Sequence, residues 1–291
     1  MSLAVESIDF FENAIAPKQE ILCYESLWAM LDGTSLKELS ERLNKKLPSS
    51  LQDRIRPQIF SAVSDYFNSN NFFKYDVLLR ETIDYPKNLS VLELPLLYYK
   101  GDLSLISAPC ISIVGSRKAS ERGLRAAEII SKGLCEEGYT IVSGLAHGVD
   151  TTAHKSAIKS GGKTIGVIGT PIDRVYPKEN DKLHKIIGEE HLLLSHVPFY
   201  KYAQQDWRVN RLFFPERNKV MAALSEATII VEASDTSGTL TQARECMRVN
   251  KKLIILRPNM ENNSLKWPKT YRSRGAYIAD TLGDIKNILN T

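Results

Sequence analysis

From about residue 83 onward the chain repeats one unit: a short apolar run, a small-residue turn, then an amphipathic segment. The runs are ISIVG (111–115), TIVSG (140–144), TIGVIG (164–169), LLLSHV (192–197), ATIIVEA (227–233) and KLIILRP (252–258), and their starts fall 24 to 35 residues apart. That spacing holds one strand, one helix and two loops per unit. Between the runs lie segments such as LRAAEIISKGLCEEG, TTAHKSAIKSGG and SGTLTQARECMRVN, whose apolar residues recur at helical spacing. Strands that are apolar throughout, rather than at alternate positions, are buried on both faces, and that implies a mostly parallel sheet with helices on each side. The pattern predicts a doubly wound α/β domain over residues 81–291.

The first 80 residues follow another rule and predict a small N-terminal helical domain. In YESLWAMLDGTSLKELSERLNKKLP, Leu27, Met30 and Leu31, then Leu36, Leu39 and Leu43, stand at helical spacing. Gly33-Thr34-Ser35 separates the two runs, and Ser35 with Glu38 three residues on reads as a capping box. A further amphipathic run, IFSAVSDYFNS, ends at the polar turn Ser69-Asn70-Asn71. SLKELSERL also admits a helix-turn-helix reading beside the plainer one of a domain packing on its neighbour.

Composition narrows the class without deciding it. Hydrophobic residues make up 43% of the 291 and charged residues 25%, the ordinary globular range. A net charge of +4 permits an anionic partner and does not require one. No apolar stretch approaches the ~18 residues that a membrane span needs. The opening MSLAVESIDFFENAIAP lacks the basic start and apolar core of a signal peptide. Cys23, Cys110, Cys135 and Cys246 are far apart and form no CxxC pair, which reads as free thiols in a reducing cytoplasm rather than a zinc site.

In a parallel α/β sheet, ligands bind outside the carboxyl ends of the strands. The residues that follow each run are therefore the ones to inspect. Gly162-Lys163-Thr164 is not a P-loop, because position 157 is Ala rather than Gly and the triplet precedes a strand. GxGxxG is absent, neither Ser116 nor Ser143 sits in a GxSxG elbow, and the five histidines show no HExxH spacing. Asp150 and His154, four apart on a predicted helix, could pair, but such residues at a helix start more often cap and pack. No catalytic residue, metal or cofactor is expected from these patterns.

What remains is a set of small-residue turns with cations close by. The first is Gly115-Ser116-Arg117, with Lys118 next and Ser120 at the helix start that follows. Ser143-Gly144 and Ser237-Gly238-Thr239 bring backbone N–H groups to helix starts, where an anion can be held. DWRVNRLFFPERN places Arg208, Arg211 and Arg217 among Trp207, Phe213 and Phe214, with Asn218 and Lys219 directly after. Cations interleaved with aromatics suit single-stranded nucleic acid, phosphates on the former and stacked bases on the latter.

These segments, in this order, resemble the DNA-processing protein A (DprA/Smf) family: LLYYKGD, CISIVGSRKAS, GYTIVSGLAHGVDTTAH, GGKTIGVIGTPIDRVYPKEN, FFPERNKVMAALS and IIVEASDTSGTLTQA. The resemblance runs from about Tyr85 to the end. It implies an extended Rossmann-like domain that binds single-stranded DNA without hydrolysing nucleotide, as a homodimer that helps load a RecA-type recombinase during natural transformation. It also implies a phosphate pocket lined by Arg117, Ser143-Gly144, Arg217-Asn218 and Ser237-Gly238. Three departures stand out. The C-terminal winged helix of many members is expected to be absent after GDIKNILNT, Arg257-Pro258-Asn259 replaces the usual Pro-Gly, and His196 replaces a common Glu. The competing reading is a nucleotide-binding sensor or a nucleotide hydrolase, with Glu232 and Asp235 as acid/base candidates beside the Gly238 turn.

Overall fold

The computed structural model describes residues 16–291, so the signal-peptide reading of the first fifteen lies outside the described residues. Among the described residues three helices come first: α1 (Pro17–Ala29), α2 (Leu36–Leu43) and α3 (Pro57–Asn70). The nine strands are β1 (Asp76–Leu79), β2 (Leu96–Gly101), β3 (Cys110–Val114), β4 (Thr140–Ser143), β5 (Thr164–Ile168), β6 (Leu192–Ser195), β7 (Ala227–Ile230), β8 (Lys252–Leu256) and β9 (Tyr277–Ala279). Among them run α4 (Glu121–Glu136), α5 (Val149–Lys159), α6 (Asp181–Glu190), α7 (Phe199–Gln204), α8 (Trp207–Asn210), α9 (Phe213–Leu224), α10 (Thr239–Arg248), α11 (Arg257–Glu261) and α12 (Trp267–Ser273), and α13 (Leu282–Leu289) closes the chain.

All strands join one sheet in the order β1-β2-β6-β5-β4-β3-β7-β8-β9. Every pairing from β6 to β9 is parallel, while β2 runs antiparallel to β6 and β1 antiparallel to β2. The six apolar runs are the six central strands, buried on both faces as their composition requires. In β3, Ile111 and Ile113 join one core with Ala127, Ile130 and Leu134 of α4 and Val149, Ala153 and Ala157 of α5. Cys110 and Val114 of the same strand join the opposite core with Val220, Met221 and Leu224 of α9. This alternation is what a twofold side-chain repeat produces when both faces are covered.

The N-terminal helices share that second core. Tyr24 meets Tyr98 edge-on at 6.2 Å, and Trp28 meets Phe213 at 5.6 Å. Glu25 is fully buried between them and the sheet: its Oε1 accepts from Tyr98 Oη (2.5 Å) and Phe199 N (2.9 Å), and its Oε2 from Tyr200 N (2.9 Å). The capping box expected at α2 forms by half. Ser35 Oγ accepts from the Glu38 N–H at 3.4 Å, but the Glu38 carboxylate turns to Arg42 at 3.1 Å. α2 is followed by a 3-10 turn, Pro48–Arg54, rather than a second α-helix at recognition-helix distance.

The chain steps from β3 through β4 and β5 to β6, then returns past β3 to build β7, β8 and β9. The loops leaving β3 and β7 therefore diverge to opposite sides of the sheet. That divergence opens a crevice at their carboxyl ends, the place where open α/β sheets bind ligands.

Candidate functional site

Close backbone approaches build the crevice, and glycines make them possible. A Cβ on Gly115 would stand 2.7 Å from Val149 Cγ2 and 2.9 Å from Glu232 O, so only glycine lets α5 and the β7 loop meet the end of β3. Gly148 precedes α5 at φ +72°, and a Cβ there would strike Ser116 O at 2.4 Å. The β3 turn is pinned by Ser116 N donating to Glu232 O at 2.7 Å and by Lys118 N donating to Ser116 Oγ at 3.0 Å. Thr239 Oγ1 donates to Gly115 O at 3.4 Å, which ties the start of α10 to the same turn.

The result is a cleft of about 1010 Å³. Of the sequence-predicted residues it brings together Gly115, Ser116, Arg117, Arg211, Arg217, Asn218, Ser237, Gly238 and Thr239. Its charged lining is four cations, Arg117, Lys118, Arg211 and Arg217, against one carboxylate, Asp150. Asp150 Oδ2 accepts from Gly144 N (3.1 Å) and Ala146 N (3.4 Å), so it is already engaged inward. Arg117 and Lys118 are exposed.

Arg217 is the buried member, only 5% exposed. Its Nη1 donates to Gly144 O (2.6 Å) and Val167 O (2.7 Å), and its Nε to Asn218 Oδ1 (2.9 Å). Among the described residues its Nη2 has no hydrogen-bond partner. Gly144 admits this guanidinium: a Cβ there would lie 2.1 Å from Nη1. Asn218 Nδ2 in turn donates to Gly238 O at 3.1 Å, linking α9 to the turn before α10. Burial lowers the Arg217 pKa to about 10 and raises that of Asp150, and the attraction between the two opposes both effects. An arginine remains charged under these conditions.

Aromatic rings flank the cations. Trp207 is 68% exposed and carries the guanidinium groups of Arg208 and Arg211 over its ring at 5.7 and 5.9 Å. Tyr176, 51% exposed, meets Phe214 at 5.4 Å, and both line the cleft with Tyr202. Lys118, Tyr176, Tyr202 and Trp207 were not among the predicted site residues. The signal for Lys118 was its place beside Arg117, and for Trp207 its place among the arginines; Tyr202 carried none.

Four predicted residues lie off the cleft. Ser143 is fully buried and its Oγ donates to Ile113 O at 2.7 Å. Gly144 backs a narrow recess behind the cleft with Arg117, His147 and Tyr176. Ser120 caps α4, accepting from Gly123 N at 3.1 Å and donating to Glu232 Oε2 at 2.7 Å, and it faces a neighbouring cavity. Lys219 pairs with Glu216 at 2.7 Å on the far side of α9.

The carboxylates weighed for acid/base chemistry are committed elsewhere. Glu232 accepts from the Ser120 backbone and hydroxyl, and Asp235 from the backbone of Lys266 and Trp267 at the start of α12. Asp150 and His154 do not pair: His154 Nδ1 meets Thr164 Oγ1 at 2.6 Å, and burial lowers its pKa to about 3. Among the described residues no three His, Cys, Asp or Glu side chains are grouped to hold a metal ion. No helix among them is long and apolar enough to cross a membrane, and none of the four cysteines is in a disulfide.

Comparison with known proteins finds relatives of this chain. The DNA processing protein DprA of Streptococcus pneumoniae is 41% identical over 174 residues, 59% of this chain and 59% of that protein. Its Bacillus subtilis counterpart is 37% identical over 162 residues, 55% and 52% of the two chains. The chain thus spans between half and three fifths of the length of these curated relatives. The crystal structure of the S. pneumoniae protein superposes with a TM-score of 0.68 at 29% identity, covering 94% of this chain and 93% of that one. A Helicobacter pylori DNA processing protein A, described for its single-stranded DNA binding mode, superposes at 0.63 and 29% identity over 74% of this chain and 95% of that one. Residues 76–290 match the family described as DNA recombination-mediator protein A, and the chain belongs to that family.

Proposed function

We propose that the protein binds single-stranded DNA along the rim cleft, without hydrolysing a nucleotide, and works as a recombination mediator. The observation that carries this reading is the cleft itself: at the switch point of the sheet, four cations face one inwardly bonded carboxylate, with Trp207 and Tyr176 exposed beside them. Arg117, Lys118 and Arg211 take phosphates, Arg217 adds its remaining donor, and the rings stack on bases. Relatives named as DNA processing proteins, one of them described for single-stranded DNA binding, support the same reading.

One cleft touches few phosphates. A homodimer places two on one strand and raises the effective concentration of the second contact. In this reading the dimer shields the strand and hands it to a RecA-type recombinase in the cytoplasm, and residues 81–291 do the binding while the N-terminal helices buttress them.

The test is competition between single-stranded and duplex oligonucleotides at moderate salt, with no nucleotide added. A flexible strand can lay its bases on the rings, which a stacked duplex cannot, so the single strand is expected to win clearly. Equal affinity for both sinks the proposal. Light scattering on the same sample is expected to give a dimer, and a clean monomer refutes the two-cleft arrangement.

A further inference from the structure

The chemistry of the rim cleft continues beyond its aromatic wall. Tyr176 and Tyr202 line the cleft, and Arg174 stands in the same loop after β5 as Tyr176. Burial raises the pKa of Tyr202 and of Tyr66 on α3, and the Arg174 guanidinium beside each of them opposes that rise. Arg174 thus reaches both the cleft wall and the N-terminal helices. Just past α3, Lys74 Nζ lies 5.2 Å from the centre of the Tyr75 ring, and Lys18 Nζ of α1 lies 5.4 Å from that of Phe73. Arg174, Lys74 and Lys18 are exposed, and Tyr66 and Phe73 are half-buried among them. The carboxylate beside Arg174 and Lys74 is Asp173, which turns inward: its Oδ1 is buried and its Oδ2 lies 4.0 Å from Arg174 Nε. Asp76, next after Tyr75, points to the other face of β1, where it acts on its cross-strand neighbour Tyr99.

We propose that a single strand held in the rim cleft runs on past Tyr202 and over Arg174 to Lys74 and Lys18, an inference that rests on the single-stranded DNA reading above. Continuity and charge name the occupant. A strand longer than the cleft has to leave it, and beside Tyr202 it meets three exposed cations with aromatic rings between them, the same combination that lines the cleft. The N-terminal helices then have a task besides buttressing the sheet, since they lengthen the footprint on the strand. These added contacts are to phosphates, so the extra length carries no base preference.

Strand length separates this track from the cleft. Wild type, Arg174→Ala and Lys74→Ala are each titrated with strands of about 6 and about 16 nucleotides, lengths within the range that single-strand sites cover. Wild type is expected to bind the longer strand more tightly. Each variant is expected to lose about two- to fivefold on the longer strand, the worth of one exposed charge pair. The slope of log affinity against log salt is expected to flatten by about 0.7 on that strand. The shorter strand is expected to bind wild type and both variants alike. Both side chains are exposed, so the melting temperature is expected to stay nearly unchanged.

A gain with length that survives undiminished in both variants overturns the proposal, since the second cleft of a dimer then supplies it. Equal weakening on both lengths also overturns it, because the two cations then act on the cleft itself. So does a wild type that binds both lengths equally. If wild type binds neither strand, the single-stranded DNA reading itself has failed, a result distinct from all three.

Discussion

Arg217 in the rim cleft and Glu25 beneath the N-terminal helices are built alike. Each is a buried charge held by backbone groups from elements distant in sequence, and each sits beside an aromatic cluster. They differ in what is left over. Both oxygens of Glu25 are taken, by Tyr98, Phe199 and Tyr200, and its position is closed on every side. Arg217 spends Nη1 and Nε on Gly144, Val167 and Asn218 and keeps Nη2 at the wall of a 1010 Å³ cleft. A buried charge with every valence used holds the fold. One with a donor to spare, facing a cleft of its own sign, can take an anion, as the proposed function requires.

Replacing each charge breaks the comparison most sharply. Arg217→Ala leaves two buried carbonyls without their donor and Asp150 without its counter-charge, so a loss of about 3–5 kcal/mol in stability is expected by chemical denaturation. Strand binding is expected to fall with it, even when affinity is corrected for the folded fraction. Glu25→Ala is expected to cost about 3 kcal/mol, since three buried donors lose their acceptor, yet to leave affinity per folded molecule unchanged. If Glu25→Ala weakens binding as Arg217→Ala does, the two regions are not separate in function.

The pH dependence sharpens the same contrast. Burial raises the Glu25 carboxyl from its ordinary 4.5 to about 7, against the opposing hydrogen bonds from Tyr98, Tyr200 and Phe199. Between those values the folded protein holds a proton that the unfolded chain has released, so this contribution to stability falls as pH rises through the window. Glu25→Gln mimics the protonated form. It is expected to gain on wild type from pH 4.5 to about 7, by on the order of 3 kcal/mol, and then to level off. His154 and His196, whose pKa values burial lowers to about 3, act in the opposite direction, but they are common to both proteins and cancel in the difference. A difference that does not move with pH refutes the assignment.

Trp207→Ala is the next smaller effect. Loss of one stacking ring is expected to cost about 1–3 kcal/mol of strand affinity with little change in melting temperature, because the side chain is mostly exposed. Fluorescence titration of wild type and variant checks this, and undiminished affinity removes the ring from the site.

The central strands were legible because full burial on both faces writes an unbroken apolar run, and the carboxyl-end rule then located Arg117 and the Gly238 turn. The outer strands were not. The edge strands β1 and β9, and β2 next to β1, each have exposed or half-exposed positions, and β9 is only three residues long, too short to show a period. The place of Lys219 off the cleft was legible: it stands two residues after Arg217 on one helix, roughly 200° around the axis, so the two side chains face apart. Ser143 and Ser120 could not be resolved by pattern. Whether a serine at a strand end or helix start faces a ligand or its own backbone depends on Ile113 O and Glu232, which are 30 and 112 residues away.

The most direct test of the rim cleft as a phosphate site is the salt dependence of strand binding by wild type and Arg117→Ala. Arg117 is exposed at the turn after β3 and its removal is expected to leave stability nearly unchanged. Affinity is expected to drop for every base sequence alike, because phosphate contacts carry no base information. The slope of log affinity against log salt is expected to flatten by about 0.7, the single-strand value for one phosphate. A variant that binds like wild type at every salt concentration, or one that melts early while binding unchanged, contradicts the assignment.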